Sequence, residues 1–506
     1  MRTSLALVAG LMLSLAFEPV ALPILIPFAV AAFFLSTRGL RARSAWIPGL
    51  GFGVAFYFTH ISWMRDSIGP DAWVALAGIE SVFYALLGSL TAWLHRLRSW
   101  PVWMAPAWVT IEVLRSGWPF SGMPWGRLAF GVVDTPVAPA LPYVGSVGVS
   151  LLLALIGALI AWVVVARGRR RLLAGAVSTA VVALTLLPAL TPYVVEETGR
   201  ASVAAVQGNL PGPADNILFD APQVTRNHVQ ATIDLADEIA AGTQPAVDFV
   251  LWPENSTASD PFLDSATNAG IRSASAAIGV PILVGAIVDA GPDHVLNQGI
   301  VWDPVTGAGD RYTKRHPVPY GEYIPLREYL DGTFGKLALI PRDMLSGTRK
   351  TPLQIAGVSV ADAICFDIAY DDGLYDQVSR GAELLTVQTS NASFIFTDQI
   401  DQQFAMTRLR AVETGRWLVV ASPNGISGVI SPDGEVVATA DPRTQAVLVE
   451  QVGLSSEITP AVRLGPWVGR GSAVLTGIGL LLGLLAYRRE RRSTGPGGSR
   501  DVTHGD

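Results

Sequence analysis

Cys365 is the only cysteine in the 506 residues, so it can neither close an intramolecular disulfide nor share a metal with a second thiolate. Packing and reactivity are the roles left to it. Residues 355–364 form an apolar-rich run of strand length in which Val358, Ser359 and Val360 alternate, and Cys365 follows directly, close to Asp367, Asp371 and Asp372. Open α/β folds place their chemistry at the carboxyl ends of strands. A thiol there could attack a carbonyl carbon if a base took its proton and a cation held the oxyanion. Glu254, after the apolar strand pattern 249–252, has the type and place of such a base if partial burial raises its carboxyl. Lys314, in Tyr312-Thr313-Lys314-Arg315-His316, could supply the cation. Taken singly, a strand-end glutamate is most often a solvated cap and a lysine among basic residues a solvated face. Their order and contexts together are more specific.

These residues need elements to hold them. Strand patterns at 202–206, 249–252, 282–287, 294–301, 384–389, 418–422 and 428–431 alternate with helical stretches at 224–241 and 266–278. The alternation predicts a layered α/β domain with a buried sheet, and about 250 residues can bury their own core.

Half of all residues are hydrophobic, 15% are charged and the mean hydropathy is +0.39, too apolar for a wholly soluble chain. The excess lies in residues 1–195 and in one segment after 460. Apolar stretches at 5–17, 20–35, 47–63, 73–94, 102–114, 144–165, 172–190 and 474–487 predict about eight membrane spans. The arginines at 38, 41 and 43, at 96 and 98, at 167 and 169–171, and at 488, 489, 491 and 492 follow the second, fourth, sixth and eighth of these. By the positive-inside rule those connections and both termini face the cytoplasm, and the α/β domain lies on the opposite side. The net charge of −6 averages two environments and identifies no partner.

Among the spans, Glu112 and Arg115 stand three apart on one helix face, either as a mutual lock or as an interfacial pair, and Glu80 raises the same question. The Gly/Pro/Trp-rich residues 117–125 cannot form regular helix and read as an interfacial or re-entrant loop. No metal-ligand spacing is present.

The Glu254, Lys314 and Cys365 contexts resemble the nitrilase superfamily. With membrane segments on both sides, the whole chain resembles the apolipoprotein N-acyltransferase family. The matching motifs are Val206-Gln207-Gly208-Asn209, Trp252-Pro253-Glu254, Tyr312-Thr313-Lys314, Val318-Pro319-Tyr320-Gly321-Glu322-Tyr323-Ile324-Pro325, Ile364-Cys365-Phe366-Asp367, Ser390-Asn391 and Arg410-Ala411-Val412-Glu413-Thr414-Gly415-Arg416. The resemblance implies a multi-pass α-helical membrane domain plus an extracytoplasmic nitrilase-like αββα sandwich. It makes Glu254 the proton acceptor, Lys314 the oxyanion stabiliser and Cys365 the nucleophile, with Glu322 and Asp367 supporting and Tyr320, Phe366 and Asn391 near substrate. Phe366-Asp367 replaces the family's commoner Tyr-Glu, and Phe366, Phe394 and Phe396 either line a lipid entrance or pack the core.

The expected organisation is a transmembrane domain over 1–195 with about seven spans, a catalytic domain over 200–455, a last transmembrane helix over 466–488 and a disordered cytoplasmic tail over 489–506. The implied activity moves a fatty acyl chain from a phospholipid, through a Cys365 thioester, to the amine of a diacylglyceryl-cysteine. It needs no metal or organic cofactor and no nucleic acid, and the protein would act as a monomer in the bacterial inner membrane. The alternatives are a membrane-tethered carbon-nitrogen hydrolase and a non-catalytic membrane scaffold.

Overall fold

The computed structural model describes residues 1–212, 219–257, 259–328 and 340–493. Its N-terminal part is helical: α1 (Arg2–Ser14), α2 (Leu25–Thr37), α3 (Ala42–His60), α4 (Trp63–Ser67), α5 (Pro70–Leu94), α6 (Trp100–Gly117), α7 (Leu141–Val165) and α8 (Arg169–Leu186). The start of α5 follows from its sequence, since Gly69 turns the chain, Pro70 has no N–H to leave unpaired, and Asp71 sits at the positive end of the helix dipole. Helix α3 packs between α1 and α5. Glycine permits the contact: a Cβ on Gly49 would lie 2.3 Å from Tyr84 O, and one on Gly88 2.4 Å from Ala45 O. Phe33, Phe52, Tyr84 and Trp108 fill the centre, the Phe33 and Trp108 rings meeting edge to face at 5.5 Å. Four helical segments among the described residues are both long and apolar enough to cross a membrane: Pro70–Leu94, Ala138–Val165, Arg169–Ala189 and Trp467–Glu490. Helices α1 and α2 are apolar but shorter.

The α/β part comprises β1 (Gly199–Gln207), α9 (Ala221–Ala240), β2 (Phe249–Leu251), α10 (Ser265–Ile278), β3 (Ile282–Asp289), β4 (His294–Asp303), β5 (Gly307–Thr313), β6 (Asp343–Met344), β7 (Leu353–Ile355), β8 (Val358–Ile364), α11 (Asp372–Val378), β9 (Leu384–Gln388), α12 (Gln399–Thr414), β10 (Leu418–Ala421), β11 (Gly428–Ile430), β12 (Val436–Thr439), β13 (Ala446–Leu454) and α13 (Pro460–Leu464). After it, α14 spans Trp467–Ser493. One sheet has the order β13-β1-β2-β3-β4-β5 with β6 beside β4; the other runs β12-β11-β10-β9-β8-β7. The pairs β1–β2, β2–β3, β8–β9 and β9–β10 are parallel. Strand periodicity builds four layers. Val203 and Ala205 of β1 meet Val360 and Ile364 of β8 between the sheets, whereas Ala204 and Val206 turn outward to Leu235 of α9. On the far side Ala363 and Val387 pack against Leu374 of α11 and Ala411 of α12. The result is an αββα sandwich.

Two departures from the sequence pattern are informative. The run 355–364 is a hairpin, with Ala356 and Gly357 at φ +50° and +82° between β7 and β8. Strand β13 pairs antiparallel with β1 over nine residues, a partnership across the whole domain that no local pattern announces. The expected tail over 489–506 begins inside α14; beyond Ser493 it lies outside the described residues.

Helix α12 ties the sandwich to the bundle. Gln402 Oε1 accepts hydrogen bonds from the indoles of Trp63 (3.0 Å) and Trp125 (2.7 Å), and its Nε2 donates to the carbonyls of Glu18 (3.0 Å) and His60 (3.2 Å). Nearby, Arg127 donates to both carboxylate oxygens of Asp371 (2.9 and 2.8 Å), which also meets Arg410 at 2.9 Å. Burial would raise the Asp371 carboxyl, but the two guanidinium groups outweigh it and hold it at about 2. Replacing Gln402 by Leu strands two buried indole N–H groups and two carbonyls, and should cost about 3 kcal/mol, each such orphan costing ~1–3 kcal/mol. Thermal unfolding in detergent checks this; a Gln402→Leu protein as stable as wild type would deny Gln402 its linking role.

Candidate active site

Glu254 follows β2 after Trp252 and Pro253 and is 2% exposed. Its Oε1 accepts from Asn297 Nδ2 (2.7 Å) and Lys314 Nζ (3.1 Å), and its Oε2 from the Ser390 N–H (2.7 Å). Lys314 follows β5 and is fully buried, with Nζ also donating to Glu322 Oε1 at 2.7 Å. Glu322 is held in turn by the Val318 N–H at 2.7 Å. Burial alone would push the Lys314 ammonium down, but the carboxylates of Glu254 and Glu322 reverse this and hold it well above the ordinary lysine range. For Glu322 the balance differs: burial and Glu254 raise its carboxyl more than Lys314 lowers it.

Cys365 follows β8 and occupies the left-handed region at φ +51°, a conformation costly for any residue with a Cβ and one that turns the chain sharply at the strand end. Its thiol is pushed up to about 12 by burial, with Glu254 adding to the rise and Lys314 opposing it. The free side chain is therefore a thiol near neutral pH and needs a base to become a nucleophile. Asp367, two residues on, aims its carboxylate at the backbone around Lys314: it accepts from the N–H groups of Arg315 (3.2 Å), His316 (2.8 Å) and Ile364 (3.3 Å), and from the Tyr312 hydroxyl (2.9 Å). It joins the lysine segment to the cysteine turn.

Cys365 also lines a cavity of about 310 Å³ between the sandwich and the helical bundle. Tyr320, Phe366 and Phe394 line it from the sandwich; Trp63, Leu76 and Trp125 line it from the bundle. Phe366 stacks on Trp125 at 6.1 Å, and Phe394 meets Trp63 edge to face at 5.5 Å. Phe396 is exposed and does not line the cavity. Asn391 is not on the cavity wall either. Its amide donates to Gln403 Oε1 (2.9 Å) and its Oδ1 accepts from Ser422 (3.2 Å).

Arg115 Nη1 faces Glu80 Oε2 of α5 at 3.5 Å and donates to the carbonyls of Met123 and Trp125, both at 2.8 Å, whereas Glu112 accepts from the Leu128 N–H at 2.9 Å. The two share a helix face but serve different partners. Asn297, in the apolar strand β4, and Gln402 were missed in the sequence; a lone amide among apolar strand residues was the available signal for the first. Among the described residues no cluster of three or more His, Cys, Asp or Glu side chains could hold a metal ion.

A sandwich carrying these three residues at strand ends belongs to the carbon-nitrogen hydrolase class, and the family model described as Carbon-nitrogen hydrolase matches residues 202–458. A second model, Apolipoprotein N-acyltransferase N-terminal domain, matches residues 9–159. The chain is 35% identical to an apolipoprotein N-acyltransferase of Mycolicibacterium smegmatis, over 95% of this chain and 84% of that protein, and 29% identical to one of Methylococcus capsulatus, over 97% and 96%. It belongs to the apolipoprotein N-acyltransferase family. Among solved structures, an amidase from Nesterenkonia sp. is 16% identical, covering 54% of this chain and 95% of its own, with a TM-score of 0.35.

Asp367→Ala would release three backbone N–H groups and a phenol at once. A loss of about 3 kcal/mol or more is expected, hydrogen bonds to charged groups contributing ~1.5–3 kcal/mol each. Denaturant unfolding measures it, and faster alkylation of Cys365 should accompany it as the turn loosens. An unaltered unfolding curve would remove Asp367 from its joining role.

Proposed function

We propose that the protein transfers a fatty acyl chain from a membrane phospholipid to the N-terminal amine of a diacylglyceryl-cysteine in apolipoproteins. One observation carries the reading. Cys365 lies within electrostatic reach of Glu254, Lys314 and Glu322 while lining a mainly apolar cavity whose other wall belongs to the membrane helices. A hydrolase acting on small soluble amides has no use for that wall.

In the first half-reaction Glu254 takes the thiol proton as sulfur attacks the donor ester carbonyl. The Lys314 ammonium, held by two carboxylates, stabilises the oxyanion. Collapse breaks the C–O bond, Glu254 returns the proton to the departing lysophospholipid oxygen, and a thioester remains on Cys365. In the second half the acceptor amine attacks the thioester, Glu254 takes a proton from nitrogen, and C–S cleavage leaves an amide and a sulfur that Glu254 reprotonates. Exclusion of water preserves the thioester between the halves. Glu322 and Asp367 act as positioning residues, while Tyr320 and Phe366 meet the lipid.

Residues 1–195 form the membrane domain, 200–455 the catalytic domain and 466–488 the last span. The arginine distribution supports an extracytoplasmic catalytic domain in the bacterial cell membrane with both termini cytoplasmic. Both substrates are bilayer-anchored and reach the site sideways, and the protein works as a monomer.

Intact mass after incubation with phospholipid alone tests the reading. Wild type should gain one fatty-acyl mass, released by hydroxylamine and discharged by a diacylglyceryl peptide, whereas Cys365→Ser should form no such hydroxylamine-labile thioester. Free fatty acid with no adduct would favour a hydrolase instead. Glu254→Gln should slow acylation by about 10²–10⁴. In that variant alkylation of Cys365 should climb about tenfold per pH unit above neutrality, because only the ionised thiol then attacks, whereas in wild type a carboxylate base should make the rate nearly independent of pH over that range. The same slope in wild type would remove Glu254 as the base.

A further inference from the structure

The cavity beside Cys365 has a direction. Along α5 it is lined by Asp71, Ala72, Ala75, Leu76, Ile79 and Glu80, positions spaced on one helical face. Nine residues of helix separate the first from the last, about 13.5 Å at 1.5 Å per residue. Asp71 is exposed, whereas Glu80 is 1% exposed. The next residues on that face, Phe83 and Tyr84, are buried in the bundle core and do not line the cavity. The wall is therefore apolar between a wet mouth at Asp71 and a carboxyl at the inner end.

That inner end is built. Glu80 Oε2 faces Arg115 Nη1 at 3.5 Å; Arg115 is fully buried, and the same nitrogen donates to the carbonyls of Met123 and Trp125. Met123 and Trp125 line the cavity themselves, so one guanidinium holds both the floor carboxyl and a wall loop. A hydrocarbon chain gains from every methylene laid along Ala72, Ala75, Leu76 and Ile79. A chain that continues along this face meets a carboxyl and a guanidinium, and parting them where no water can replace either partner is costly.

We infer that this face of α5 measures the acyl chain of the donor phospholipid, with the Glu80–Arg115 pair as a polar stop that sets the longest chain carried on Cys365. The inference rests on the acyltransferase reading and adds to it a specificity determinant in the bundle, remote from the reacting atoms.

The full-length protein is incubated with vesicles holding an equimolar ladder of saturated phosphatidylethanolamines whose chains differ by two methylenes, and the masses of the acyl adducts on Cys365 are read. Glu80→Ala combined with Arg115→Met opens the floor without leaving an unpaired buried charge. Its adduct distribution should shift to longer chains by about fourfold per added methylene accommodated, the ratio given by ~0.8 kcal/mol for each buried CH₂. Leu76→Trp fills the face above the stop and should shift the distribution to shorter chains by a similar factor. If the double variant does not fold, the tryptophan variant alone decides. Acylated variants with the wild-type chain distribution overturn the ruler while leaving the acyltransferase standing. A wild-type protein acylated by no member of the ladder brings down the acyltransferase reading, and the ruler with it.

Discussion

The site depends on one buried ammonium shared between two carboxylates. Lys314 has no access to water, so its charge is tolerable only because Glu254 and Glu322 both reach it. That requirement propagates outward. Glu254 is oriented by Asn297 from β4 and by the Ser390 N–H after β9, and Glu322 by the Val318 N–H, so the ends of several strands in both sheets must converge within one small volume. The sandwich is the fold that lets them do so: it brings the carboxyl ends of β2 and β8 together from separate sheets, and Gln388 of β9 reaches across to donate to Trp252 O at 2.6 Å.

The second constraint is docking. A catalytic sandwich with a complete polar site still lacks a lipid-sized wall, and the bundle supplies it. The contact is specific because it is polar: the buried Gln402 uses all four of its hydrogen-bonding positions, and the part-buried Asp371 stands between a guanidinium from each part. Asp371 is six residues from Cys365. The group that registers the bundle against the sandwich therefore sits on the same short segment as the thiol, and an error in docking is an error in the position of sulfur.

Much of this was legible in the sequence where chemistry and periodicity are local. The apolar strands, the helices α9 and α10 and the placement of Glu254 and Cys365 at strand ends follow from patterns a few residues long. Strand β5 was hidden because Gly307–Thr313 is largely polar, and β13 because its partner lies some 250 residues away. Arg115 shows the limit of intrahelical reasoning: a spacing of three suggested Glu112, but Glu80, from the neighbouring helix, stands in the way. The motif around Asn391 does not announce its partners Gln403 and Ser422, which come from α12 and from the end of β10. Partners set by tertiary packing leave no trace at fixed spacing.

Helices α8 and α14 bracket the sandwich in the chain, and they are the least enclosed of the long apolar helices. Only Ala174 and Thr185 of α8 are buried. In a bilayer, helices this apolar and this little enclosed would be solvated by lipid tails in place of protein, and would act as moorings whose hold is the bilayer itself. Their sequences are then free to drift among apolar residues, while their lengths are not, since each sets the height above the membrane at which the sandwich begins or ends. A change in bilayer thickness would thus be felt at the catalytic domain as a pull on both of its lines.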